Sequence, residues 1–359
     1  MNSTFVRVKK YYMETKHKTA SKWAGMLIIS TLLLFSSALL SNAIARRGEF
    51  GSDTTEVKGK SIKSLKADLT FIQANDLGRN GYYLQKPIAE LMGEVADVIG
   101  PEAILAAGDV HHFMGVQSTT DPLWLTNFET IYSHPELMIP WYPVLGNHEY
   151  IGNTEAVINY SQVSRRWQME GRYYYKLFTG KSTRVHILFI DTTPLISRYR
   201  EESNKYADVL KVDPQQELKW IEEQLSAIRG SIDKKSENEQ IKDWIIVVGH
   251  HPIYAQTSKS ISEQEDLQKS VAPLLRKYGV DIYTCGHIHN FQHFREKESN
   301  VEYVVNSAAS LSREKVKKIP GALFVSGEAG FIVISADLQY LTLSMINSKG
   351  EIIYTIEHK

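Results

Sequence analysis

Five short polar clusters stand in this chain, each closely following a run of apolar, strand-like residues. Asn75-Asp76-Leu77-Gly78 comes after the run at 67–72. Gly108-Asp109, with His111 and His112 close behind, follows residues 103–107. Gly146-Asn147-His148-Glu149 follows residues 141–145. Gly249-His250-His251-Pro252 follows residues 244–248, and Gly286-His287-Ile288-His289 follows residues 281–285. A short apolar run bounded by Gly or another turn residue reads as a buried strand. In an open α/β sheet, ligand groups collect at the carboxyl ends of strands, so loops far apart in sequence reach one crevice. A lone His after one strand is most often a core or surface residue. Five clusters in this arrangement are hard to explain that way.

Further strand-like runs lie at 185–190, 302–305, 330–334 and 341–345. Apolar residues at helical spacing mark helices over 87–98, 214–228 and 267–278. Strands alternating with helices, then strand-rich sequence, give an α/β domain with mixed sheets over residues 67–359. Residues 230–240 are charged and polar and read as a solvated loop. No internal repeat and no second domain boundary is apparent.

The N-terminus reads differently. Lys9, Lys10, Lys16, Lys18 and Lys22 precede an uncharged apolar run at 24–45, which ends in Ala43-Ile44-Ala45 before Arg46-Arg47. Small-x-small is the pattern that signal peptidase reads, and the run is also about long enough to cross a bilayer. Residues 1–45 are therefore expected to be a signal peptide or a membrane anchor, with the lysines kept in the cytoplasm and the rest exported. Residues 46–66 read as a polar linker. Cys285 is the only cysteine, so no intramolecular disulfide forms and there is no lipoprotein attachment at the signal. Lys+Arg and Asp+Glu are both 41, and without a basic stripe no nucleic-acid partner is expected.

Asp, Asn and His offer oxygen and imidazole donors, which suit Mn, Fe or Zn. A carboxylate can bridge two ions, and two ions about 3.5–4 Å apart clamp the attacking and leaving oxygens of a phosphoryl group.

The order Asp, Gly-Asp, Gly-Asn-His, Gly-His, Gly-His-x-His resembles the metallophosphoesterase superfamily, and within it the small, tartrate-resistant type of purple acid phosphatase. The likeness is densest at 108–116, 140–149 and 285–290, and it extends outside the clusters to Tyr160-Ser161 and Arg166-Trp167. It implies the calcineurin-like fold, a four-layer α-β-β-α sandwich of two mixed sheets flanked by helices. It implies Asp76, His112 and His289 on a first metal, Asn147, His250 and His287 on a second, and Asp109 bridging both. His148 would contact the phosphate or leaving group, and Glu149, where the family has Asp, would orient His148.

Three positions depart from the family. Asn75 replaces a Gly. His112 replaces the Tyr whose phenolate gives the purple colour and favours ferric iron, with Phe113-Met114-Gly115-Val116 fixing the register. Lys259 stands, by ungapped counting, where mammalian members carry a further His. The resemblance implies a hydrolase of small phosphate monoesters, and the N-terminal run an exported one, periplasmic, secreted or anchored outside the cytoplasm. With imidazole at His112 in place of the phenolate, it would use two divalent ions (Fe, Zn or Mn) and in-line attack by a hydroxide held on them. The alternatives are a phosphodiesterase or pyrophosphatase on the same site, and an exported binding protein without catalysis. A membrane is a partner only if the N-terminal run is retained.

Overall fold

The computed structural model describes residues 61–235, 240–297, 299–313, 315–316 and 321–359. The signal or anchor segment and most of the linker lie outside the described residues. The chain divides at 54/55, and everything described belongs to the second unit. Residues 62–65, read above as linker, form a 3-10 turn. Its Leu65 is buried, and Ser335 Oγ donates to the Leu65 carbonyl at 2.5 Å, so the fold begins before residue 67.

Two mixed sheets carry the architecture. The first has the order β13-β12-β11-β1-β2-β3, where β1 is Leu69–Ala74, β2 Ala103–Ala106, β3 Trp141–Pro143, β11 Gly330–Ala336, β12 Leu341–Asn347 and β13 Ile352–His358. The second has the order β10-β8-β9-β7-β6-β5-β4, from β4 (Tyr174–Thr179), β5 (Thr183–Phe189), β6 (Lys242–Val248), β7 (Ile282–Cys285), β8 (Phe291–Arg295), β9 (Glu302–Val305) and β10 (Ala322–Ser326). β1, β2 and β3 are mutually parallel, as are β5, β6, β7 and β9. Parallel strands end at the same edge, so the loops after β1, β2 and β3 leave one sheet together. Those after β6 and β7 leave the other. β1, β2 and β7 are buried throughout, as expected of strands covered on both faces.

Polar side chains tie the sheets together near that edge. Gln73 at the end of β1 accepts from Thr284 Oγ1 at 2.7 Å, and its carbonyl accepts from Asn306 Nδ2 at 3.0 Å. These groups are buried, so the bonds hold their register where water does not compete.

Helices cover the sheets. α1 (Gln85–Ile99) buries Ile88, Met92, Val95 and Ile99 and stops at Gly100, whose φ of 60° suits a residue without Cβ. Short α2 (Thr154–Asn159) and α3 (Ser197–Glu201) lie in the connections. α4 (Pro214–Asp233) starts on Asp213, whose side chain accepts from Gln215 N, with Pro214 in its first turn. It runs through 230–233, so the solvated loop read at 230–240 begins later. The single helix expected over 267–278 is two, α5 (Ser262–Ser270) and α6 (Ala272–Lys277). Pro273 in the first turn of α6 has no N–H to continue α5.

Behind β3 lies an aromatic block. Trp124 stacks on Tyr160 at 3.5 Å between centroids, and Phe128 meets Trp141 and Trp167 edge-on at 5.0 Å each. Arg166 is buried over Phe128 and bonded to Glu129 at 2.8 Å. This block braces the strand that leads to Asn147.

Candidate metal centre

Asp76, Asp109, His287 and His289 all have positive φ, at 53°, 52°, 70° and 63°. Non-Gly residues in this left-handed region are uncommon and strained, and they persist where the surroundings over-determine them. Here each strand ends and the chain turns sharply, throwing the polar side chain inward. Close approach requires the neighbouring glycines. A Cβ at Gly108, whose φ is 84°, would run into the His250 ring, and one at Gly286 would meet Asn75 and Asp76.

Two groups of side chains result. In the first, His289 Nε2 lies 3.1 Å and His112 Nε2 3.7 Å from Asp76 Oδ1. In the second, Asp109 Oδ2 lies 3.2 Å from His250 Nε2, with His287 Nδ1 3.2 Å from the same His250 nitrogen. Asp109 Oδ2 is also 3.7 Å from His112 Nε2, so it stands between the groups. Asn147 is buried on the adjoining turn, its Oδ1 without a hydrogen-bond partner.

Hydrogen bonds behind the rings decide which nitrogen faces inward. His289 Nδ1 lies 2.6 Å from the Leu311 carbonyl and His250 Nδ1 2.9 Å from that of Ala107. A carbonyl only accepts, so each Nδ1 carries the proton and the neutral ring turns its Nε2 lone pair inward. Those lone pairs then face carboxylate oxygens at 3.1 and 3.2 Å. Two acceptors so close need a cation or an extra proton between them. Asp76 Oδ1, Asn147 Oδ1 and both His112 nitrogens are buried without hydrogen-bond partners, at about 1–3 kcal/mol each if left so. The donor set therefore fits divalent metal ions. His111 points elsewhere, edge-on to Trp124 at 4.3 Å. His251, though near His250 and His287, has both ring nitrogens engaged, by Thr192 Oγ1 at 2.8 Å and Tyr199 Oη at 2.9 Å.

Electrostatics agree. Burial alone would raise the carboxyls of Asp76 and Asp109, but the imidazoles outweigh it, His289 and His112 for the first and His250 and His148 for the second. Both are held well below the usual carboxylate range. Burial pushes His112 down to about 4, which keeps it neutral. At His250 Asp109 outweighs burial and pushes it up to about 9, so with no ion between them the ring carries the extra proton that its contact with Asp109 needs.

His148 is part-exposed. Its Nδ1 donates to the Phe113 carbonyl at 3.2 Å and its Nε2 lies 4.0 Å from Asp109 Oδ2. Glu149 does not orient it. Its Oε2 accepts from Asp109 N at 2.9 Å and Gly146 N at 2.7 Å, and its Oε1 from His111 N at 3.1 Å. The turn after β3 sends residue 149 away from the 148 ring and under the loop after β2, so the carboxylate braces backbone. Burial and the Asp109 charge push that carboxyl up to about 7.

Two residues at the site escaped the sequence reading. Glu263 on α5 sets Oε2 3.1 Å from His287 Nε2, with Oε1 taking Arg198 at 2.7 Å and Tyr199 at 3.1 Å. In sequence it is one charge in a charged helix. Arg79 lies 5.3 Å over the Phe113 ring and feels both Asp76 and Asp109. Its adjacency to Asp76-Leu77-Gly78 was the available signal.

Residues 69–291 match the Calcineurin-like phosphoesterase family. The chain is 30% identical over 285 residues to tartrate-resistant acid phosphatase type 5 of Homo sapiens, covering 74% of this chain and 82% of that protein. It is 30% identical over 266 residues to purple acid phosphatase 3 of Arabidopsis thaliana, covering 72% and 68%. Among solved structures it resembles GAP50, the anchor in the inner membrane complex of Plasmodium, with a TM-score of 0.66 at 26% identity over 81% of this chain and 88% of that one.

Proposed function

We propose, from the premise that this chain belongs to the calcineurin-like phosphoesterase family, that it hydrolyses small phosphate monoesters at a centre for two divalent metal ions. As a member, it is a metal-dependent phosphoric ester hydrolase. The carrying observation is the pair of inward Nε2 atoms on His289 and His250, each set by a carbonyl behind the ring and facing a buried carboxylate oxygen at 3.1 and 3.2 Å.

Asp76, His112 and His289 would hold one ion, and Asn147, His250 and His287 the other. Asp109, between the groups, would be shared. When bound, such ions lower the pKa of water and neutralise phosphoryl oxygens. The chain's own residues do the rest. Ala107 and Leu311 carbonyls hold two imidazoles in the tautomer that faces the site. Arg79 adds positive charge beside the two aspartates, suited to a phosphate. His148 is the general acid–base candidate, since the Phe113 carbonyl fixes the proton on Nδ1 and leaves Nε2 facing the site.

Export rests on the N-terminal sequence, the basic flank and apolar run at 24–45. Among the described residues no helix is long and apolar enough to cross a membrane. Likeness to GAP50, the anchor in the inner membrane complex of Plasmodium, supports an anchor at 24–45 as an alternative to a cleaved signal peptide. The decisive test of activity is a panel of phosphate monoesters, diesters and pyrophosphate on metal-loaded protein. Monoesters should turn over fastest. Faster diester or pyrophosphate turnover would replace the substrate class, and no turnover on a metal-replete protein would overturn the reading.

A further inference from the structure

Glu263 lies in the first turn of α5 and is buried. Its helix is fixed on two sides. Gln264 Oε1 accepts from Ala255 N at 2.8 Å and Gln268 Nε2 donates to the Ile253 carbonyl at 2.8 Å, which pins α5 to the loop after β6. Asp266 Oδ2 accepts from Ser197 N at 2.8 Å and Ser197 Oγ at 2.6 Å, which pins α5 to α3. A buried carboxylate needs partners for its oxygens. Arg198 and Tyr199 on α3 serve Oε1, and Oε2 is left for His287 Nε2 at 3.1 Å.

The protons run one way through this cluster. Thr192 Oγ1 accepts from the backbone N–H of His250 at 3.3 Å and of His251 at 3.1 Å, so its own proton goes to His251 Nδ1 at 2.8 Å. His251 Nε2–H then donates to Tyr199 Oη at 2.9 Å, and the Tyr199 hydroxyl donates to Glu263 Oε1 at 3.1 Å. On its other side a carboxylate again only accepts, so His287 Nε2 carries the proton and Nδ1 the lone pair. Nδ1 faces His250 Nε2 at 3.2 Å, inside the second group. Lys259 Nζ, at 2.8 and 3.2 Å from the two ring nitrogens, lies over the ring face and on neither lone pair, so it leaves the tautomer to Glu263.

We infer that Glu263 is a positioning residue for the second metal position. By holding the proton on the outer nitrogen of His287 it presents Nδ1 to the ion, and Arg198 fixes which atoms the Glu263 end turns to that ring. The inference rests on the two-metal reading above and adds to it a residue outside the five strand-end clusters. An amide at this position gives a sharp test. Arg198 only donates, so in Glu263→Gln the amide oxygen is drawn to Arg198 and the amide nitrogen turns to His287. Nε2 must then accept, and the ring proton moves to Nδ1, where the ion should bind. Glu263→Ala leaves the tautomer free. The isosteric change should therefore do more harm than the truncation.

The test uses the full chain. Tautomers are read by 15N NMR on histidine-labelled, chelator-stripped protein, with His287 assigned through His287→Gln. Zn2+ content is measured after dialysis against buffers of fixed free Zn2+ at one pH. Wild-type His287 should carry its proton on Nε2, and Glu263→Gln should move it to Nδ1. The free Zn2+ needed for two ions per chain should rise roughly tenfold in Glu263→Ala and roughly a hundredfold in Glu263→Gln. Adding Arg198→Met to the Gln variant removes the donor that turned the amide, and should bring the requirement back to the Ala level or below. A wild-type His287 with its proton on Nδ1 overturns the inference. So does a Gln variant that fills as readily as the Ala variant, the result a space-filling role would give, or a double variant no better than the Gln single one. Should Glu263→Ala fail to fold, judged by circular dichroism, Glu263→Leu replaces it under the same criteria. A wild type that binds no Zn2+ sinks the metal-centre reading instead, while the NMR arm still decides the tautomer.

Discussion

Removing the Glu149 carboxylate separates its observed role from the one its sequence position suggests. In Glu149→Ala the backbone N–H groups of Asp109, His111 and Gly146 lose their acceptor together. Glu149 is 1% exposed, so water replaces it only by entering the space the side chain leaves. A buried donor left without a partner costs roughly 1–3 kcal/mol. Three of them give roughly 3–6 kcal/mol after partial hydration, a large share of a domain stability of roughly 5–15 kcal/mol. Glu149→Gln should lose less, roughly 1–3 kcal/mol, because one oxygen remains while the amide nitrogen opposes one donor. Urea denaturation of chelated protein measures this free of metal linkage. Because the loop carrying Asp109 is loosened, metal content after dialysis should fall as well. An Ala variant within about 1 kcal/mol of wild type, with full metal content but a slowed reaction, would refute the bracing argument and return Glu149 to an orienting role.

Asp109→Asn should lose both metal occupancy and turnover, checked by elemental analysis and assay of one sample, since its Oδ2 stands between both groups. His148→Ala should keep its metal and lose roughly 10²–10⁴-fold in rate; a collapse in metal content would make it a ligand. With imidazole at His112 where purple relatives have phenolate, the isolated wild type should be colourless, and His112→Tyr loaded with iron should gain a visible absorption band. His358 bridges Asp281 at 3.1 Å and Glu302 at 3.5 Å, which pushes it up to about 9. A folded pKa above the unfolded value of about 6.5 means the contribution, roughly 1–2 kcal/mol after solvent screening of this half-buried group, is complete below about pH 6.5 and fades as pH rises through about 9. Thermal melts from pH 6 to 10 should show a decline that His358→Gln flattens.

The places of Asp76, Asp109, Asn147, His250, His287 and His289 at strand ends were legible because both signals are local. Apolar runs mark buried strands, and Gly or Asn marks the turn that follows. The mixed α/β class was legible for the same reason. Strands β4, β8, β10 and β13 escaped because polar or exposed side chains interrupt their runs, as with Gln292 and His293 in β8. Helix α5 was only half visible, since its first turns are charged. Other features are matters of distance between segments remote in sequence. That Glu149 lies under the Asp109 loop rather than beside the His148 ring depends on the direction of a turn. That Glu263 backs His287, and that the Lys259 ammonium reaches the same ring, depends on β6, β7 and α5 being packed against one another. Residue type and periodicity reveal which way a side chain faces its own element. Only the packing of the two sheets decides which charge it meets there, because in a buried site a few ångströms separate a ligand from a brace.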